Sequence, residues 1–499
     1  MELESVIGLE IHVQLKTRSK MFCSCSNTGE NEDPNTTICP ICLGHPGVLP
    51  VPNKQAIEWS VMSALALNCE IPNHSKFDRK HYFYPDLPKA YQISQFDEPI
   101  GINGYLTIVV SREKRKIRLH RLHLEEDAAK LLHDKKGQSF VDYNRGGTPL
   151  MEIVTEPDIR SSEEAGEFLR ELRLIMRYLQ VSDADMEKGH LRCDANVSLR
   201  PVGDEELYPK TEVKNLNSFK AVEKALNYEI KRQTKVWQDS GKAPEEQGTR
   251  GWDENEAKTI EQRSKEGSAD YRYFPEPDIP GLDFNKKWVE RIRATIPELP
   301  ANLRARFIEQ YGFKKEDAKI FSSDKDLAEF TEQVISELRA WLVSQDPDAT
   351  GDEILECDKK KLAKLVSSWI LTNLLGLVRA ASLPISEIKI TPENMAELIT
   401  MAHTSKVNKT NAQAILKEMF KTGSDPSNIL EEKDLGQMQD DGSLDEIIDS
   451  VIASNPDQVE QYKSGKTIVI NFLVGMAMKE SKGKADASQA LEMLKIKLK

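Results

Sequence analysis

The sequence predicts an α+β protein in which an N-terminal domain built on an antiparallel sheet is followed by an all-helical domain and a helical tail. Three observations carry this. Short stretches of period-two alternation are spread through the first 290 residues, with two long stretches of helical period between them. After Pro280-Gly281 only the helical period remains. A further break at Ile390-Thr391-Pro392 divides the helical part. The expected domains are 1–290, 291–399 and 400–499.

The first strand is the clearest. In residues 5–16, Ile7, Leu9, Ile11, Val13 and Leu15 fall on one face, and Gly8, Glu10, His12 and Gln14 fall on the other. Residues 105–110, 116–124, 147–154 and 192–200 read as further strands, and 162–179 and 219–232 as helices. In the C-terminal part, 303–311 and 359–375 have the helical period. Thr391 can cap a helix whose first-turn proline, Pro392, gives up no needed hydrogen bond. Ala412, Ile415, Leu416, Met419 and Phe420 mark one apolar helix face, which Gly423 closes as a C-cap.

The 499 residues are 39% hydrophobic, enough for a core in each of several domains, and the net charge is −13. Such a charge argues against coating nucleic acid by bulk electrostatics but leaves room for local basic patches. The C-terminal segment holds Lys466, Lys479, Lys482, Lys484, Lys495, Lys497 and Lys499, a pattern that a solvated helix face also produces. The N-terminus lacks the basic flank and apolar stretch of a signal peptide, and no transit peptide is read there. The longest apolar run, residues 467–475, is too short to span a bilayer, so no membrane is expected. Cys69, Cys193 and Cys357 are scattered, which fits a reducing compartment. The expected location is the cytoplasm, with an organellar stroma or matrix as the other setting.

Chemistry is concentrated in the N-terminal domain. Cys23-Ser24-Cys25 and Cys39-Pro40-Ile41-Cys42 are two close pairs joined by a turn-rich loop, the spacing of a structural zinc knuckle; the alternative is two reduced thiol pairs. Glu10 and His12 share one strand face, and His123 and Glu125 share another before the acids Glu126 and Asp127. Hard oxygen donors with at most one imidazole suit Mg²⁺, although each pair alone also reads as a surface pair. Residues 79–92, which include Lys80, Tyr82 and Tyr84, mix cations, aromatics and prolines in a way that excludes a regular helix or central strand. Such loops stack on bases and pair with phosphates, or else cap a core. A similar segment recurs at 270–278, and between the two lie Asp142-Tyr143-Asn144-Arg145 and Arg192-Cys193-Asp194-Ala195-Asn196. No phosphate loop, dinucleotide fingerprint or nucleophile elbow occurs, so a nucleotide site would be built from strands and loops.

At these segments the chain resembles the B-subunit family of the aspartyl/glutamyl-tRNA amidotransferases, the GatB family, over almost its whole length. The resemblance runs through Gly8-Leu9-Glu10-Ile11-His12, the cysteine quartet, residues 76–95, His123-Leu124-Glu125-Glu126-Asp127, residues 142–145, Glu152-Ile153-Val154, and residues 191–198, 213–219 and 270–278. It continues at Leu473-Val474-Gly475, Met478-Lys479 and Lys482-Gly483-Lys484. It implies a cradle domain that binds ATP and Mg²⁺, phosphorylates the side-chain carboxylate of a misacylated tRNA and lets ammonia displace the phosphate. It also implies a heterotrimer with an amidase partner (the A subunit) and a small C subunit, and a YqeY-like tail that holds tRNA. Carried onto this chain, Glu10, His12 and Glu125 would hold Mg²⁺. Lys80 and Arg145 would meet phosphate or carboxylate, Tyr82 and Asp194 would join them at the nucleotide, and Lys466, Lys479, Lys482 and Lys484 would meet tRNA. The alternative is a tRNA-binding scaffold without catalysis. The chain departs from the family pattern at His81, Ala129 and Asp486-Ala487.

Overall fold

The computed structural model describes residues 2–134, 136–262, 271–345, 359–360, 362–436, 441–481, 484–485 and 487–498. The chain forms two compact units, Met1–Leu299 and Pro300–Lys499.

The first unit is an eight-stranded sheet. Across it the strands run Lys258–Glu261, Gly248–Asp253, Thr211–Leu216, Leu191–Pro201, Leu3–Gln14, Pro149–Thr155, Glu113–Glu126 and Gly101–Val110. Every neighbouring pair is antiparallel except Thr211–Leu216 with Gly248–Asp253. The alternation in Leu3–Gln14 has the physical consequence expected of it: Ile7, Leu9, Ile11, Val13 and Leu15 are all buried. Each such burial contributes on the order of 1.5–3 kcal/mol. A one-residue slip would bury Glu10 and His12 instead, so the register is held firmly.

Helices Lys54–Ala66, Ser162–Tyr178 and Phe219–Ser240 complete this core with Val61, Ala64, Phe168, Leu172, Ile175, Val222 and Leu226. Each starts at a side-chain cap. Asn53 accepts from the Gln55 and Ala56 amides, Ser161 from Glu164 and Ser218 from Ala221. Gly241, at φ 74°, ends the last of them in the left-handed conformation.

A smaller sheet corrects the reading of the aromatic segments. Asp78–His81, Tyr91–Ser94 and Arg272–Pro275 form three antiparallel strands, so the ends of residues 79–92 are strands and only the middle is a loop. The two similar segments are each other's partners: Arg272 opposes His81, Tyr273 opposes Lys80 and Phe274 opposes Arg79. Arg79 fastens them with a two-pronged pair to the buried Glu276, both distances being 2.8 Å.

Both expected domain cuts fall inside helices. The first lies in Lys286–Arg293, whose Trp288, Val289 and Ile292 pack on the first unit's core, so that unit extends to Leu299. The second lies in Pro392–His403. In the second unit Thr391 does cap that helix, accepting from the Asn394 amide at 3.2 Å, and Gly423 does close Lys409–Thr422 at φ 80°. Leu444, Ile448, Val451, Leu473 and Leu494 form a separate apolar cluster near the C-terminus. Residues Leu362–Ala381, rather than 467–475, make the longest apolar helix among those described, long and apolar enough to cross a membrane. Half of it is buried, with Val366, Trp369, Ile370 and Leu374 inside.

Candidate metal site

Strand register assembles one polar row on the sheet. His123 opposes Glu152, Glu152 opposes His12, and His12 opposes Arg192, so four strands contribute neighbouring side chains. Glu10 stands beside Asp194 one step along. The His12 Nε2 lies 3.4 Å from both Glu125 Oε1 and Glu152 Oε2, and the His123 Nε2 lies 3.4 Å from Glu152 Oε2. Two groups result, Glu10–His12–Glu152 and His123–Glu125–Glu152, with the donor atoms of each within 4.8 Å of one another.

Burying such charges is expensive unless something binds them. Glu125, Glu152 and His123 are all buried. Burial pulls the His12 imidazolium down, but Glu125 and Glu152 overcome it and lift its pKa to about 10. Burial raises the Glu125 carboxyl, and the hydrogen bond and charge of His12 more than offset that, leaving it below the usual range. Glu152 is likewise driven well down, by His123 and His12 against its burial. Glu10 goes the other way, raised by burial and then by the nearby Glu152 charge. A divalent cation fits this cluster. It would take the place of the proton that His12 holds among the acids, and it would relieve the crowding at Glu10. Each group offers two carboxylates and one imidazole, a donor set that suits Mg²⁺ or Mn²⁺. The His123 Nδ1 is buried with no hydrogen-bond partner among the described residues.

Of the residues picked out in the sequence, Glu10, His12 and Glu125 come together here. His123, read in the sequence as the partner of Glu125, joins them, and Glu152 completes the cluster. The sequence does hold a signal for Glu152, an acid in the middle of the apolar strand Pro149–Thr155, and register then sets an imidazole on either side of it. Lys80 stands next to the cluster. Burial lowers its ammonium pKa, but Glu125, Tyr273 and Glu152 outweigh that and raise it, and its Nζ lies 4.7 Å from the centre of the Tyr271 ring. Tyr82 meets the same ring edge-on, and burial followed by the Glu125 charge raises its phenol pKa. Asp194 is tied to Lys214 at 2.8 Å.

Arg145 is engaged elsewhere. It donates to the Ala128 and Ala129 carbonyls at 3.0 and 2.9 Å and lies 3.5 Å from Asp127, which Arg192 also pairs. Both arginines line a cavity of about 230 Å³ with Gln14, Asn144 and Thr148. His81 packs on Tyr91 and donates from Nδ1 to the Arg272 carbonyl.

The four cysteine sulfurs lie within 4.8 Å of one another, as a single tetrahedral ion requires. Cys39 N–H donates to the Cys42 sulfur at 3.1 Å. Cys23's hydrogen bond, with help from Cys39 and Lys20, pulls the Cys42 thiol down to about 5 despite burial. Burial and the neighbouring thiols push Cys25 up to about 11. Four sulfurs gathered this closely fit a zinc ion that would displace their protons.

The family description of the GatB/GatE catalytic domain matches residues 5–290, and that of the GatB domain matches 352–498. The chain belongs to the GatB family. GatB relatives match it from end to end. The B subunit of the aspartyl/glutamyl-tRNA(Asn/Gln) amidotransferase of Brevibacillus brevis is 47% identical over 98% of this chain and 98% of its own length. The protein of that name from Carboxydothermus hydrogenoformans is 46% identical over 100% and 99%. The one from Caldanaerobacter subterraneus is 47% identical over the full length of both. The GatB catalytic match holds the whole polar row and the cysteine quartet. Of the lysines expected at tRNA, the GatB tail match holds Lys466 ahead of helix Ile470–Glu480, Lys479 in that helix's last turn, and Lys484 paired with Asp434. Lys482 lies outside the described residues.

Proposed function

We propose that this chain is the B subunit of a tRNA-dependent amidotransferase whose first unit uses ATP to phosphorylate the side-chain carboxylate of Glu-tRNA(Gln) or Asp-tRNA(Asn). Ammonia released from glutamine by the amidase partner then displaces the phosphate, and a small third protein, the C subunit, joins the assembly. The single observation that carries this reading is the Glu10–His12–His123–Glu125–Glu152 cluster with Lys80 next to it. A carboxylate is a poor electrophile, and its phosphorylation creates a leaving group only where the charge gathered on the phosphates is balanced.

Glu10, His12, Glu125 and Glu152 would hold Mg²⁺, which supplies that balance when bound. Lys80, held among the aromatics of the small sheet, is the cation assigned to a phosphoryl oxygen or the substrate carboxylate. Tyr82 offers a ring and a phenol that remains protonated. Lys214 holds Asp194 beside Glu10 and keeps that acid aligned. Arg145 acts through Asp127 and the Ala128-Ala129 carbonyls, as a positioning residue for the end of the strand that bears Glu125. The cysteine quartet, with no ligand position left open, is assigned a structural zinc. The tail lysines Lys466, Lys479, Lys482 and Lys484 are assigned to the tRNA backbone.

Reconstitution with the two partner proteins tests the reading. Glu10→Gln or Glu125→Gln is expected to abolish ATP-dependent amidation of misacylated tRNA at saturating Mg²⁺ while glutaminase activity of the complex persists. Unchanged amidation would overturn the catalytic assignment and leave a tRNA-binding scaffold.

A further inference from the structure

We propose that Lys20 is the counter-charge of the four-cysteine site and the tie that joins it to the end of the acid-bearing strand. Lysine is ordinarily kept at the surface by the cost of stripping water from its ammonium. Here the whole residue is buried, at 0% exposure. No carboxylate forms an ion pair with it among the described residues. Its Nζ lies instead 3.9 Å from the Cys42 sulfur and 3.3 Å from the Tyr143 carbonyl oxygen.

Four thiolates around one Zn²⁺ leave two negative charges in excess, and a buried excess is costly unless a cation stands against it. Lys20 supplies that cation from inside the fold. Its ammonium also donates to the turn at Tyr143, and its stem lies against Gly147, where a Cβ would stand 3.5 Å from the Lys20 Cδ. The backbone continues the link. Lys20 N–H donates to the Cys25 carbonyl, Met21 N–H to Gly147, and Gly147 N–H to Asp127, two residues beyond Glu125. Lys20 is therefore a positioning residue whose charge steadies the metal site and whose hydrogen bonds carry that order to the strand end.

This inference rests on the zinc reading of the quartet, and the experiment separates the two. The full chain, co-purified with its partner proteins, is analysed for zinc and then titrated with a chromogenic chelator. An absence of zinc in the wild type defeats the zinc reading itself. With zinc present, Lys20→Met, close in length but uncharged, is expected to weaken zinc affinity about 10-fold or more. The Co²⁺-substituted protein should keep its four-thiolate absorption, because no ligand has changed. Lys20→Gln, which keeps a donor for Tyr143, should weaken zinc as well. Cys42→His removes one negative charge from the site and should shrink the effect of losing Lys20. Wild-type affinity in both Lys20 variants, or an equal loss in the Cys42→His background, would overturn the proposal. Insolubility of both Lys20 variants that Cys42→His does not relieve would overturn it too.

Discussion

Glu152 is the residue on which the cluster turns. It faces His12 on one side and His123 on the other, and it belongs to both donor groups. Glu152→Gln keeps the shape and removes the charge. It should lower amidation by about 10²-fold or more, the scale of losing one group that stabilises transition-state charge, and it should weaken Mn²⁺ binding measured by paramagnetic resonance. A wild-type Mn²⁺ titration would remove Glu152 from the site. Gly104 sets a different kind of constraint. A Cβ there would overlap the Cys69 sulfur and stand 2.9 Å from the Leu67 carbonyl oxygen. Gly104→Ala should therefore cost about 1–3 kcal/mol of stability by overpacking, read as a lower urea midpoint at an unchanged slope. At this scale Glu10, His12 and Glu125 were legible because a period of two sorts residues by face. Glu152 showed only as an acid inside an apolar strand and Lys20 not at all, because nothing local says that either side chain will be buried.

Among the elements, the strand Glu113–Glu126 is anchored near its middle. Arg118 makes a two-pronged pair with Asp158, at 2.8 and 2.6 Å, and its backbone N–H donates to the same carboxylate at 3.0 Å. Burial raises the Asp158 carboxyl, but the hydrogen bonds and charge of Arg118 prevail and hold its pKa below the ordinary value. A depressed carboxylate adds stability above its unfolded pKa and loses it as pH falls through the folded one. The melting-temperature difference between the wild type and Asp158→Asn should accordingly be full at about pH 6–7, begin to shrink near the ordinary carboxylate value of about 4, and be lost as pH falls through the depressed folded-state pKa. Its size should be that of a partly exposed pair, at most about 1 kcal/mol. A difference that showed no change with pH across the whole acidic range would mean that Asp158 acts by packing alone. The cysteine knuckle should prove a structural element. One zinc per chain is the expected content, and its removal by chelation should lower the thermal midpoint of the first unit. The main strands and helices of this unit were readable from periodicity within a few residues. The small three-stranded sheet was not, because its partners are far apart in the chain and its short strands are too crowded with aromatics and cations to alternate.

For the whole chain, Leu444, Ile448, Leu473 and Leu494 give the C-terminal end an apolar cluster of its own within the second unit. A cut at residue 400 would break helix Pro392–His403, whereas truncation after Leu435 spares it. The truncated chain, assembled with its partners, should keep ATP-dependent chemistry but show a raised KM for tRNA and a flatter salt dependence, since each lost phosphate contact lowers the salt slope. An unchanged KM and slope would mean that the tail lysines are merely solvated. The sequence by itself determined the α+β class, the two faces of the first strand, the gathering of four thiols and the family. Each of these is written in local spacing or in motifs that survive without neighbours. Only the tertiary structure decided which acid stands between His12 and His123, that Arg145 serves the loop after Glu126, that the two aromatic segments pair, and that Lys20 lies buried against the thiols. These facts depend on strand order and register between distant parts of the chain, where packing and long-range pairing choose the neighbours and local periodicity is silent.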